Sequence, residues 1–167
     1  ETSLGNLNPK QLYTVKIPVR NSDGSYGTKL ALVPVNRDVH VGYLDYTRKN
    51  TLDLAFKYLG NRYGWGGSLN SRDCSELVMS VYSCFGFKLP RDVSTQSKIP
   101  TAQSVGNMTD YEKSVVLDNT PPGAILQFKG HEMLYLGKVN GKYYILNASG
   151  SINSNGVNTY INTITIY

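Results

Sequence analysis

Apolar residues recur every three to four positions in two stretches of this chain, over residues 50–60 and again over 73–86, and the pattern changes to short strand-like runs from residue 124 onward. That order, helices first and strands second, points to an α+β domain with the helices on one face of an antiparallel sheet. Leu52, Ala55, Phe56 and Leu59 fall at i, i+3, i+4 and i+7, one face of a helix, with Asn50 expected to cap it and Gly60 to stop it. A second helix is expected to start at Asp73, whose side chain caps the first turn while Glu76 reaches back to complete the box. Leu77, Val78, Val81, Tyr82 and Phe85 form its apolar face and Gly86 its end. After a mixed loop and the breaker NTPPG, the stretches AILQF, EMLYLGKV, KYYILNA and NTYINTITIY are rich in the β-branched and aromatic residues of strands.

Residues 1–46 read differently. YTVKIPV and KLALVPV, joined by the turn formers of RNSDGSYG, predict a β-hairpin, and RDVHVGYL predicts a further strand. Together they read as part of a small β-barrel, separate from a domain over 47–167. The polar opening ETSLGNLNPK is read as the trimmed end of something upstream. With 40% hydrophobic residues the chain has enough apolar material for a core, and no apolar run approaches the roughly 20 residues that span a bilayer. The net charge of +5 is spread over scattered Lys and Arg with no basic block, so no nucleic-acid partner is expected.

Two cysteines cannot make a disulfide framework for a domain of this size. Ten residues apart on one helix they would sit about 15 Å from each other, too far to bridge. With two histidines and no CxxC or HExxH pattern, neither a metal site nor a cofactor is expected. Cys84 lies within the apolar part of its helix and suits the role of a small hydrophobe. Cys74 follows the cap directly, where unpaired N–H groups and the positive end of the helix dipole favour a thiolate. A nucleophile needs a base and an orienter. His131 opens a strand in GHEMLYLG, whereas His40 lies in the N-terminal segment, and Asn147 is the polar residue that interrupts the apolar run of YYILNASG.

The Asn140-Gly141 turn decides whether His131 and Asn147 can meet. A two-residue turn gives opposed residue numbers a sum of 281 and sends the two side chains to opposite faces. A three-residue loop with Gly141 left-handed makes the sum 280, places Asn147 diagonally from His131 on one face, and is the expected geometry.

Taken together, YGWGGSLNSRDCSELV, LPRDVSTQ and GHEMLYLG resemble the NlpC/P60 family of bacterial cell-wall cysteine peptidases, over a stretch from about Thr47 to the end of the chain. The resemblance implies a papain-like fold, Cys74 facing His131, and hydrolysis of the γ-D-glutamyl bond to the diamino acid of peptidoglycan stem peptides. The family's third polar residue is most often His; Asn147 stands in that place. The segment before Thr47 resembles the tail of a bacterial SH3-like module. Relatives that act on trimmed peptides use residues matching Tyr63, Asp73 and Ser75 around the substrate and its free amine. Asp73 serves that purpose only with an oxygen left over from capping. Arg91 either meets a substrate carboxylate or, as its loop setting favours, pairs within the protein. Trp65 either lines the cleft or plugs the core, and Gly66 and Gly67 are read as allowing close backbone approach. A wall substrate implies an envelope or secreted location, with intracellular recycling also open. The same fold also admits a non-catalytic wall-binding domain, an amidase or an acyltransferase.

Overall fold

The computed structural model describes residues 12–167; the opening ETSLGNLNPK lies outside them. The chain divides into two compact units between Gly42 and Tyr43. In the first, β1 (Leu12–Arg20) and β2 (Tyr26–Pro34) form an antiparallel hairpin in continuous register from Leu12↔Pro34 to Arg20↔Tyr26. Asp23 accepts from the Ser25 backbone and hydroxyl in the turn, as a short acidic side chain does in an Asx turn. The strand expected in RDVHVGYL is absent: residues 37–44 run as bends and irregular backbone, with the Arg37 N–H bonded back to the Pro34 carbonyl.

In the second unit, α1 (Arg48–Phe56), α2 (Cys74–Ser83), α3 (Val93–Gln96) and α4 (Asp110–Asn119) precede one four-stranded antiparallel sheet. Its strands β3 (Ile125–Phe128), β4 (His131–Val139), β5 (Lys142–Ser154) and β6 (Val157–Ile166) lie side by side in chain order. The fold is α+β. Leu77, Val78 and Val81 of α2 pack with Leu134, Leu146, Ala148 and Ile164 of the sheet, all completely buried. At about 1.5–3 kcal/mol per buried aliphatic side chain, that contact anchors α2, and Cys74 at its head, to β4 and β5. The Tyr82 hydroxyl donates to the Gly123 carbonyl at 2.8 Å, and the Phe87 and Gly86 N–H groups return to Tyr82 and Ser83 to close the helix around left-handed Gly86. No helix among the described residues is long and apolar enough to cross a membrane.

Three expectations are corrected. Helix α1 is capped by Thr47, not Asn50, and it buries Thr51 and Ala55 while Phe56 and Leu59 are exposed. The buried face is set by α2 and by Gly123, where a Cβ would stand 2.9 Å from the Thr51 methyl, and not by the most apolar stripe. Residues 43–46 belong with the second unit: Leu44 N–H bonds the Cys84 carbonyl and the Tyr46 ring meets Tyr82, Phe85 and Phe87. The unanticipated α4 carries a full capping box between Thr109 and Glu112.

The turn between β4 and β5 is the third. Val139 pairs with Lys142 across Asn140 and Gly141, both with positive φ, which is the two-residue turn. The shift from a sum of 281 to 280 occurs further along, between Tyr135 and Gly137, where Leu136 is the extra residue. Gly137 supplies it with φ +115°, a conformation that side-chain-bearing residues rarely adopt.

Candidate active site

Asp73 ends an extended segment and caps α2, so Cys74 is the first helical residue. The Glu76 N–H donates to Asp73 Oδ1 at 2.9 Å, but the Glu76 carboxylate turns to Arg91, 3.7 Å from its Nε, in place of the expected reciprocal bond. Asp73 is fully engaged. Oδ1 also accepts from the Ser75 hydroxyl at 3.3 Å, and Oδ2 accepts from the Gly66 N–H at 2.9 Å and from Arg91 at 2.6 Å. Arg91 also donates to the Ser75 hydroxyl oxygen at 2.6 Å. Burial alone would push the Asp73 carboxyl up, but the bonds from Arg91, Glu76 and Gly66 outweigh it and hold the group below the ordinary carboxylate value. No oxygen of Asp73 is left for a substrate amine, and Arg91 pairs within the protein.

The loop Trp65–Asn70 follows from the same anchor. Gly66 and Gly67 have φ of +70° and +72° with no atom within 3.5 Å of a Cβ placed on either, so left-handed backbone, not close approach, requires them. The close approach is at Gly64, where a Cβ would overlap the Ser71 hydroxyl. Trp65 is 81% exposed and plugs no core. Tyr63 enters from the other side: its N–H bonds the Asn162 carbonyl, and a Cβ on Gly150 would stand 3.2 Å from its ring. Burial, with the neighbouring Cys74 and Asp73, raises the Tyr63 phenol above its ordinary value, so it is a neutral donor near the sulfur.

His131 and Asn147 meet. Nε2 lies 2.6 Å from Asn147 Oδ1 and donates to it, because a carbonyl oxygen can only accept; Nδ1 is then the proton-accepting nitrogen. The bulge at Leu136, rather than a three-residue turn, is what brings the two strands into the register that allows this. The thiol departs from expectation. Cys74 is only 7% exposed, and burial pushes it above its ordinary value. The backbone N–H groups of Glu132 and Ser75 pull it down, while Asp73 and Glu132 oppose ionisation. Burial thus opposes the thiolate that the helix terminus alone would favour at Cys74. Cys84 is half-buried at the C-cap and touches the Ser80 carbonyl at 3.5 Å; both cysteines are free.

Two neighbours had no reading in the sequence. Phe128 pairs with His131 across the β3–β4 turn, its ring centroid 5.1 Å from the imidazole. Glu132 is completely buried, accepts from Gln127 at 2.6 Å through Oε2, and leaves Oε1 with no hydrogen-bond partner among the described residues. Its position next to His131 was visible, but a charged residue within a strand ordinarily marks the solvent face.

The model of the NlpC/P60 family matches residues 60–164, a span that takes in the Tyr63 loop, α2, and both His131 and Asn147. The chain belongs to the NlpC/P60 family. Within reach of this family assignment, Dipeptidyl-peptidase 6 of Lysinibacillus sphaericus is 32% identical over 92 residues, which is 54% of this chain and 30% of that protein. The solved structure of an NlpC/P60 endopeptidase from Photobacterium damselae subsp. piscicida superposes with a TM-score of 0.70 at 23% identity, over 92% of this chain and 38% of that one. At that identity the likeness speaks for the NlpC/P60 fold. The chain spans between 30% and 38% of the length of these two proteins.

Proposed function

We propose that this NlpC/P60 domain is a cysteine peptidase that hydrolyses the γ-D-glutamyl bond to the diamino acid in peptidoglycan stem peptides. The observation that carries the reading is the 2.6 Å contact between His131 Nε2 and Asn147 Oδ1, on the strand whose Glu132 N–H reaches the Cys74 sulfur. In this reading the imidazole is held with Nδ1 as its accepting nitrogen, one residue before the Glu132 whose N–H reaches the thiol.

In this mechanism His131 Nδ1 takes the thiol proton as Cys74 Sγ adds to the γ-glutamyl carbonyl carbon. The tetrahedral oxyanion is met by the Cys74 backbone N–H at the start of α2 and by the Tyr63 hydroxyl. His131 then passes the proton to the departing amine, the C–N bond breaks, and a thioester is left on Cys74. A water deprotonated by His131 attacks that thioester, releasing a carboxylate and restoring the thiol. The raised thiol value fits this coupled proton transfer better than a preformed ion pair. Asp73, Ser75 and Arg91 frame the site by holding the Gly66 backbone, and Trp65 stands exposed on the loop they hold.

The substrate places the protein's work at the cell wall, in the envelope or after secretion, and the hairpin of residues 12–34 belongs in this reading to an SH3-like wall-binding module. Incubation with defined stem peptides and mass analysis of the products tests it. Release of L-Ala-γ-D-Glu supports the peptidase; intact peptide bound without turnover identifies a wall-binding domain; a cut beside the sugar identifies an amidase.

A further inference from the structure

The β3–β4 turn puts an aromatic ring directly beside the imidazole. Phe128 and His131 close the turn as register partners, and their rings lie 5.1 Å apart at an interplanar angle of 41°. The ring is nevertheless 60% exposed, so the imidazole covers one part of it and the remainder faces outward. An apolar ring left open beside a catalytic base has a defined neighbour during turnover. His131 delivers its proton to the departing amine, and a proton is transferred only within hydrogen-bond reach, about 2.6–3.2 Å. The carbon bearing that amine is then one bond further out, so a side chain on it stands close to the imidazole that the Phe128 ring contacts.

We propose that Phe128 is a specificity-determining wall for the leaving residue, packing against the aliphatic stem of the side chain next to the departing amine. This rests on the peptidase reading above. A diamino acid carries such a stem of methylenes between its backbone and its distal charge, and a stem of that kind lies along an aromatic face while its charged end stays in water. In this proposal the acyl side, bound through the thioester, makes no contact with Phe128. Phe128 therefore discriminates among leaving residues and leaves the γ-glutamyl half unread.

The test compares L-Ala-γ-D-Glu-L-Lys with L-Ala-γ-D-Glu-Gly as substrates for the full chain and for Phe128→Ala and Phe128→Leu, after thermal unfolding has established that the variants fold. The wild type is expected to prefer the lysine peptide in kcat/KM, and Phe128→Ala to reduce that preference roughly tenfold, the lower end of what one apolar contact discriminates. Phe128→Ala should lower kcat/KM on the lysine peptide about tenfold more than on the glycine peptide, and Phe128→Leu, which keeps an apolar wall, should retain most of the preference. Equal loss on both peptides with a displaced pH profile would overturn the proposal, because it is the signature of a ring that only supports the imidazole. A wild type with no preference overturns it as well. Failure of the wild type to cut either peptide refutes the peptidase reading itself, and this inference with it.

Discussion

Replacing Arg91 by alanine removes both of its 2.6 Å bonds, one to Asp73 and one to the Ser75 hydroxyl, and leaves Asp73 and Ser75 buried at the head of α2. A hydrogen bond to a charged group is worth about 1.5–3 kcal/mol, and stripping one partner from a fully buried pair costs about 3–5. Arg91 is itself 39% exposed, so water takes over part of its role, and Asp73 retains the Glu76 and Gly66 N–H groups; the loss is set at about 2 kcal/mol. For a unit of this size that lowers the thermal midpoint by roughly 6–10 °C. The contribution depends on Asp73 being ionised. Its carboxyl is held below the ordinary value of 3.8, so the stabilisation is fully present above that value and fades as pH falls through the lowered one. Chemical denaturation of wild type and Arg91→Ala at pH 7 and again below pH 3 measures the gap, and an Asp73→Asn double-mutant cycle isolates the pair. A gap under about 0.5 kcal/mol at pH 7, or one that persists unchanged in acid, would refute the assignment of Arg91 as the partner that keeps Asp73 charged.

Cys74→Ala should abolish turnover with the fold intact by circular dichroism, whereas Cys84→Ala should alter neither; loss of activity with Cys84→Ala alone would mean the wrong thiol has been assigned. Asn147→Ala should lower kcat on the order of 10²-fold with little change in KM, measured on a defined stem peptide, because the imidazole loses the acceptor that fixes its orientation. Alkylation of Cys74 by iodoacetamide should accelerate through a midpoint above the thiol's ordinary value of 9.0; a rate already at its plateau at pH 7 would contradict the buried neutral thiol. Burial raises the Glu132 carboxyl, so its protonated form is favoured in the folded chain and stability is lost as pH rises through the raised value. Glu132→Gln should therefore be more stable than wild type at pH 7, with the advantage shrinking to nothing below the ordinary value of 4.5.

The parts of the fold that could be read in advance are those where one local signal and one burial pattern agree. Helix α2 has a capping Asp, an apolar stripe and a terminal Gly, and each of Leu77, Val78, Val81, Tyr82 and Phe85 is buried as its spacing predicts. In α1 the spacing misleads, because Thr51 rather than a larger apolar residue fits against Gly123. Helix α4 was legible in principle from Thr109 and Glu112 but has a weakly apolar sequence with no buried residue, so periodicity offered nothing to follow. At the candidate site His131 and Asn147 stood out in the sequence, since His131 opens its strand after a glycine and Asn147 breaks the apolar run YYIL. The state of the thiol was not, because helix position and burial push it in opposite directions and only the packed structure sets their balance. Asp73 shows the same limit: its capping role follows from sequence, while the saturation of its second oxygen depends on Arg91, 18 residues away.

The extra residue at Leu136 gives Gly137 an influence out of proportion to its size. Side chains on a strand alternate, so the number of residues separating the Asn140-Gly141 turn from His131, counted as odd or even against those leading to Asn147, decides whether the two can touch at all. One glycine with a conformation that other residues rarely adopt settles that count from the opposite end of β4, with the ring of Pro122 standing 3.2 Å from where its side chain would begin. The site thus has a remote dependency that no inventory of residues around the sulfur would reveal: deleting a single position in the middle of the strand would leave every chemical group in place and turn the imidazole's partner to the other side.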